Sequence, residues 1–165
     1  MLAQLLRARR LLVPPSRAAR PPRAGMLRKR GARVLELPSI EPGPPSDPRA
    51  MARVLAELDR HDWMVFSGGQ SVARFLDQET TAAGRIRGRI VALGTGAKRE
   101  LRERGLRVDL APARHVAPDV AEALGDVAGA DVLLVRREGA SPELPRLLRE
   151  RGARVEDLAG YAMRV

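Results

Sequence analysis

The sequence predicts an α/β fold: a parallel sheet flanked by helices, with one complete domain and a fragment of a second. Three observations predict it. The first is a junction that occurs three times, as Leu27-Arg28-Lys29-Arg30-Gly31-Ala32-Arg33-Val34, Leu101-Arg102-Glu103-Arg104-Gly105-Leu106-Arg107-Val108 and Leu148-Arg149-Glu150-Arg151-Gly152-Ala153-Arg154-Val155. Each reads as the last turn of a helix, with Leu facing a core, Gly taking the left-handed C-cap and an apolar run following. The second is a set of apolar runs without clean alternation, at 62–66, 89–93 and 131–135. Such runs belong to strands covered on both faces, as in parallel sheets. The third is that segments of helical period separate those runs, so strands and helices alternate. The junctions are unevenly spaced, so they are a recurring helix ending and not a solenoid repeat.

The elements follow in order. Residues 10–13 are a short apolar strand. A Pro/Arg-rich loop leads to a helix over about 22–30, and a strand at 34–37 follows. Four prolines within 38–45 make a stiff connector and a domain boundary. Ser46-Asp47-Pro48 supplies a capping oxygen and a first-turn proline for a helix running to about Arg60. The strand at 62–66 turns through Ser67-Gly68-Gly69-Gln70 into a helix with Val72, Phe75 and Leu76 on one face. A strand at 89–93 turns through Gly94-Thr95-Gly96 into the helix that ends at Gly105. Residues 108–111 read as a strand and Pro118 to about Leu124 as a helix. The strand at 131–135 precedes a helix capped by Ser141-Pro142-Glu143, and a last strand runs toward Tyr161.

Composition bounds the chemistry. The chain has 165 residues, 44% of them apolar and 2% aromatic, so its core is built of Leu, Val and Ala. It has no cysteine, which excludes disulfides and thiolate chemistry and fits a reducing, cytoplasmic setting. No apolar run reaches membrane-spanning length. The net charge of +10 arises in residues 1–35, which hold ten basic side chains and no acid. Arginine-biased coding and a basic arm that meets a polyanion both account for this. Nucleic acid is the weaker partner, because the rest of the chain is charge-balanced and offers no aromatic stacking platform. Prolines at 14, 15, 21 and 22 and the scarcity of Ser argue against a targeting helix; an irregular or misassigned start fits better.

In an open parallel sheet, ligands meet the carboxyl ends of the strands. Three turns fall there: Ser67, Gly68, Gly69, Gln70 and Ser71; Gly94, Thr95, Gly96 and Ala97; and the stretch opening with Arg136 and Arg137. Backbone amides at helix starts favour an anion, and small residues let it come close. Ordinary βα turns use the same residues, so plain turn chemistry stays open. Arg99 replaces the third Gly of a dinucleotide fingerprint. His61 and His115 are isolated and lack metal-ligand spacing, so no metal site is expected. Tyr161, the single tyrosine, is either an amphipathic edge residue or a phenol that gives up a proton.

These motifs, in this order, resemble the uroporphyrinogen-III synthases. Asp62-Trp63-Met64-Val65-Phe66-Ser67-Gly68 with Val72 and Phe75-Leu76 is similar to their "D-W-hydrophobic-hydrophobic-F-T-S" turn and helix. Ile90 to Gly94 with Leu101 to Val108 is similar to their next strand and helix. Val132 to Arg136, Glu143-Leu144-Pro145 and Leu148 to Val155 match a later segment. Leu12-Val13-Pro14 through Pro38 matches their opening strand, helix and linker.

The resemblance implies two α/β domains joined by a two-strand connector. Residues 1–37 would be a fragment of the first domain, 38–47 the linker, 48–155 the complete second domain and 156–165 the returning connector. The sequence ends about where the return to the first domain is expected. The implied reaction closes hydroxymethylbilane into uroporphyrinogen III with inversion of the last pyrrole ring, loss of water and a spiro intermediate, in tetrapyrrole and haem biosynthesis. It implies no cofactor and no metal. The eight carboxylates of the substrate suit helix starts and arginines, and Tyr161 falls at the position implicated in loss of the hydroxyl. Departures are Pro14-Pro15 for Thr-Arg, Ser67-Gly68 for Thr-Ser, Ala97 for Thr and Met163 for Thr. With those polar groups absent, a non-catalytic descendant that binds a tetrapyrrole or another anion is the alternative.

Overall fold

The computed structural model describes residues 9–13, 23–36, 41–79 and 81–164. The N-terminal basic residues before Arg9, the loop holding Pro14, Pro15, Pro21 and Pro22, and the connector residues 37–40 lie outside that description. The chain divides into two compact units, Met1–Glu41 with Arg164–Val165, and Pro42–Met163.

The smaller unit contains β1 (Arg10–Val13), α1 (Arg23–Lys29) and β2 (Arg33–Glu36). The two strands run parallel, with Leu12 opposite Leu35. Both leucines face solvent, at 64% and 57% exposure.

The larger unit holds β3 (Glu41–Gly43, joined at the unit boundary), α2 (Pro48–Ala56), a 3-10 turn at Leu58–Arg60, β4 (Trp63–Phe66), α3 (Gly69–Leu76), α4 (Ala82–Arg85), β5 (Arg89–Ala92), α5 (Thr95–Glu103), α6 (Ala117–Leu124), β6 (Asp131–Arg137), α7 (Glu143–Glu150) and β7 (Arg154–Arg164). The sheet order is β3-β7-β6-β4-β5, and β7, β6, β4 and β5 are mutually parallel. From β4 the chain steps outward to β5, then returns across the sheet to β6 on the other flank of β4. Between β4 and β6 lies the reversal at which doubly wound sheets bind ligands.

Both faces are covered, which explains the unbroken apolar strands. Met64 and Phe66 of β4 pack with Val54, Phe75 and Leu101 on the face of α2, α3 and α5. Trp63 and Val65 pack with Val120, Leu124, Leu144 and Leu148 on the face of α6 and α7. Phe66 and Phe75 meet edge to face at 5.7 Å. Emptying such a position (Phe66→Ala) costs about 3–5 kcal/mol.

The repeated junction is a Schellman ending in all three copies. Gly31, Gly105 and Gly152 have φ of 86, 74 and 86°. The amides of Ala32, Leu106 and Ala153 donate back to the carbonyls of Leu27, Leu101 and Leu148 at 3.1, 2.9 and 3.1 Å. In the first and third copies the leading arginine reaches over the turn: Arg28 Nη2 donates to the Val34 carbonyl at 3.3 Å and Arg149 Nη2 to that of Val155 at 3.1 Å.

Four details differ from the sequence reading. The connector contributes β3, an edge strand, where Pro42 costs no central ladder bond. The helix from Pro48 tightens into the 3-10 turn before Arg60. Residues 82–85 form an extra short helix. Residues 108–111 make only a parallel bridge between Leu110 and Val91. There the Asp109 carboxylate takes the Ile90 amide at 2.8 Å, a donor that a longer strand would need, and Pro112 has no amide to extend the ladder. Asp47 caps α2 as its position suggests, accepting from Arg49 and Ala50 at 3.0 and 3.2 Å.

At the amino edge of the sheet, buried His61 has Nδ1 3.3 Å from the Leu58 carbonyl and Nε2 3.0 Å from Glu156 Oε2. Arg60 Nη2 also reaches Glu156 Oε2 at 2.9 Å. Burial pushes the Glu156 carboxyl up, but the His61 and Arg60 hydrogen bonds and charges outweigh it and hold it below the usual range. No described helix is long and apolar enough to cross a membrane.

Candidate functional site at the carboxyl edge

The turn after β4 begins where the Ser67 amide donates to the Val135 carbonyl of β6 at 3.1 Å. The buried Ser71 hydroxyl closes the turn: it donates to the Gly68 carbonyl at 2.7 Å and accepts from the Gly68 amide at 3.1 Å. Ser71 therefore shapes the turn, with its hydroxyl engaged by the Gly68 backbone. Ser67 and Gln70 are exposed, and their side chains have no partner among the described residues. The amides of Gly69 and Gln70, at the start of α3, lack an acceptor in the helix.

The turn after β5 lies against the first. A Cβ on Gly69 would sit 3.0 Å from the Gly96 carbonyl oxygen, so the starts of α3 and α5 touch only because Gly69 has no side chain. Gly94 has φ +91°, a region that other residues avoid. Thr95 is exposed, whereas the Ala97 side chain in the first turn of α5 is fully buried in the core. Neither α3 nor α5 has an acid in its first turn, and α5 carries Lys98 there, against its own dipole.

The third turn departs from the expectation. Arg136 is committed to the protein, with its side chain 12% exposed. Its Nε and Nη2 clamp Asp157 Oδ1 and Oδ2 at 2.6 and 2.5 Å, and Nη1 donates to the Ser141 carbonyl. The Ser141 hydroxyl in turn accepts the Glu143 amide at 3.3 Å, so one amide at the start of α7 is already taken. Arg137 is exposed and has no side-chain partner among the described residues.

Tyr161 arrives by a bulge. Arg136 pairs with Ala159, yet Arg137 pairs with Tyr161, so Gly160 is an extra residue on β7. The Glu138 amide donates to the Tyr161 carbonyl at 2.8 Å. A Cβ on Gly160 would lie 3.0 Å from Val135 Cγ1 and 3.9 Å from the Ser71 carbonyl oxygen. The half-buried tyrosine is thus placed beside Arg137 at the end of β6, with the first turn of α3 adjoining.

His115, isolated in the sequence, is brought to this edge by the fold. It lies in the segment leading from Leu110 to α6, and its Cε1 is 3.8 Å from where a Cβ on Gly94 would be. No local signal announces it; the return of the chain brings it there.

Two cations, Lys98 and Arg137, stand at this edge without an acidic partner among the described residues. Asp157 is taken by Arg136, and Glu138 Oε2 accepts the Ser46 amide at 3.1 Å. His115 also has no acidic partner among the described residues. The edge thus combines bare amides, hydroxyls, an imidazole and the unpaired cations Lys98 and Arg137, which suits a multiply anionic ligand. Among the described residues no cluster of His, Asp or Glu could hold a metal ion.

The comparisons agree with this architecture. The family model described as uroporphyrinogen-III synthase HemD matches residues 23–165. A uroporphyrinogen-III synthase of Synechococcus elongatus is 27% identical over 148 residues, which cover 87% of this chain and 56% of that protein. A mutant uroporphyrinogen III synthase from the extremely thermophilic bacterium Thermus thermophilus shares the fold at TM-score 0.72 and 23% identity, over 94% of this chain and 63% of that one. The wild-type enzyme of that bacterium in another crystal form gives 0.64 at 23% identity, over 94% and 62%. The chain therefore spans less than two thirds of the length of these relatives. A match that runs through most of the chain, on a doubly wound sheet of the same fold, makes it a member of the uroporphyrinogen-III synthase family.

Proposed function

We propose that the chain acts as a uroporphyrinogen-III synthase, a lyase of tetrapyrrole and haem biosynthesis. It closes hydroxymethylbilane into uroporphyrinogen III and inverts the last pyrrole ring. The observation that carries this reading is the pair of touching helix starts, with bare amides and unpaired cations along one edge. The substrate bears eight carboxylates, and such an edge binds carboxylates wherever they fall along it.

Ser67, Gly68, Gly69 and Gln70, with Gly94, Thr95 and Gly96, receive the carboxylate arms. Ser71 and Ala97 hold those turns in shape. Arg137 contributes a mobile cation, and Arg136 fixes the end of β6 through Asp157. Tyr161 donates its phenolic proton to the departing hydroxyl, which leaves as water while the pyrrole nitrogen supplies the electron pair. The step is redox-neutral, so the residues need supply only protons and charge.

The test is to incubate the protein with hydroxymethylbilane and resolve the oxidised porphyrin isomers. Isomer III above the spontaneous background is expected. Isomer I alone means that this chain does not catalyse the closure, and leaves tetrapyrrole binding without turnover as the reading.

A further inference from the structure

We propose that His115 is a substrate-binding residue that donates a hydrogen bond to a carboxylate arm of the tetrapyrrole, at the end of the edge away from Tyr161. This rests on the function proposed above.

The argument starts from what His115 lacks. It is exposed, and neither ring nitrogen has a hydrogen-bond or ion-pair partner among the described residues. Its neighbour Arg114 is held by Asp119 at 2.9 Å, so the ring is the polar group this segment can offer. Its Cε1 lies 3.8 Å from where a Cβ on Gly94 would be, at the turn that leads into α5 and its partnerless first amides. An imidazole always carries at least one N–H donor, so its ability to hold a carboxylate does not depend on its protonation state.

Its position supplies the second half of the argument. Tyr161 lies on β7 opposite Arg137, the last residue of β6, and the Gly94 turn follows β5, with β6 and β4 between β7 and β5. Three strand spacings place the two about 14 Å apart. That is the scale of a tetrapyrrole with its arms extended. A ligand whose hydroxymethyl end meets Tyr161 therefore presents arms from its far rings at His115.

The experiment titrates uroporphyrin III, the stable octacarboxylate, against the full chain by fluorescence. His115→Ala and His115→Phe should each weaken binding about tenfold, the lower end for a charge-assisted bond at an exposed position. His115→Gln, which keeps an N–H donor, should recover most of it. All three should keep the parent urea midpoint. Saturable binding that neither Ala nor Phe weakens overturns the role of His115 and leaves the functional reading standing. No saturable binding by the unaltered chain overturns both.

Discussion

Replacing Arg136 by Met separates a structural arginine from a ligand-binding one. The side chain is mostly buried, clamps Asp157 with two charge-assisted bonds and donates a third to the Ser141 carbonyl. Deleting a bond to a charged group costs about 1.5–3 kcal/mol when the partner is left dry. Asp157 keeps about a third of its surface in water and can rehydrate, so the bonds do not add in full. We expect a loss of about 2–3 kcal/mol. With a urea slope of about 1.5–2 kcal/mol/M for a unit of this size, the midpoint falls by about 1–2 M. Asp157→Asn should lose slightly less. The double variant should lose little more than Arg136→Met alone, because both remove one clamp. Arg136→Lys should recover under half, since an ammonium cannot make the fork. An unchanged urea midpoint in Arg136→Met, together with weakened uroporphyrin binding, would refute the reasoning and return Arg136 to the ligand.

Three further outcomes are expected. Tyr161→Phe should lower isomer-III formation at least a hundredfold with an unchanged urea midpoint, and an unchanged rate removes the phenol from the mechanism. Gly94→Val puts a β-branched residue at φ +91° and should cost about 1–3 kcal/mol in urea melts while also weakening porphyrin binding; a neutral result contradicts the left-handed turn. Because the Glu156 carboxyl is held below the ordinary value of 4.5, its contribution is present above that pH and lost as the pH falls through its depressed folded value. Glu156→Gln should therefore cost about 1 kcal/mol at pH 7 and converge with the parent once the pH has fallen through that depressed value. A gap that stays constant over that fall would contradict the link to His61 and Arg60.

The doubly wound core was legible because its signals are local. Three glycines, the Asp47 cap and three unbroken apolar runs each reflect a nearby physical demand. What escaped was decided by partners distant in the chain. Arg136 looked like a free cation because Asp157 lies 21 residues away, and His115 looked isolated because Gly94 is brought to it only by the fold. The bulge at Gly160 cannot be read from its own strand, since it is a mismatch against β6. The bridge at Leu110 shows the reverse case: a local rival, the Asp109 carboxylate, overrode a strand-like run.

The recurring helix ending also bears on how far the fold can drift. Its closure uses main-chain atoms, one glycine and, in two copies, an arginine that grips a carbonyl. None of these bonds depends on which side chains stand between. Within this chain the third letter is already Lys in one copy and Glu in two, and the residue after glycine is Ala or Leu. Punctuation written in the backbone lets a lineage rewrite most of its text, and a shared architecture at about a quarter identity is what such rewriting leaves behind.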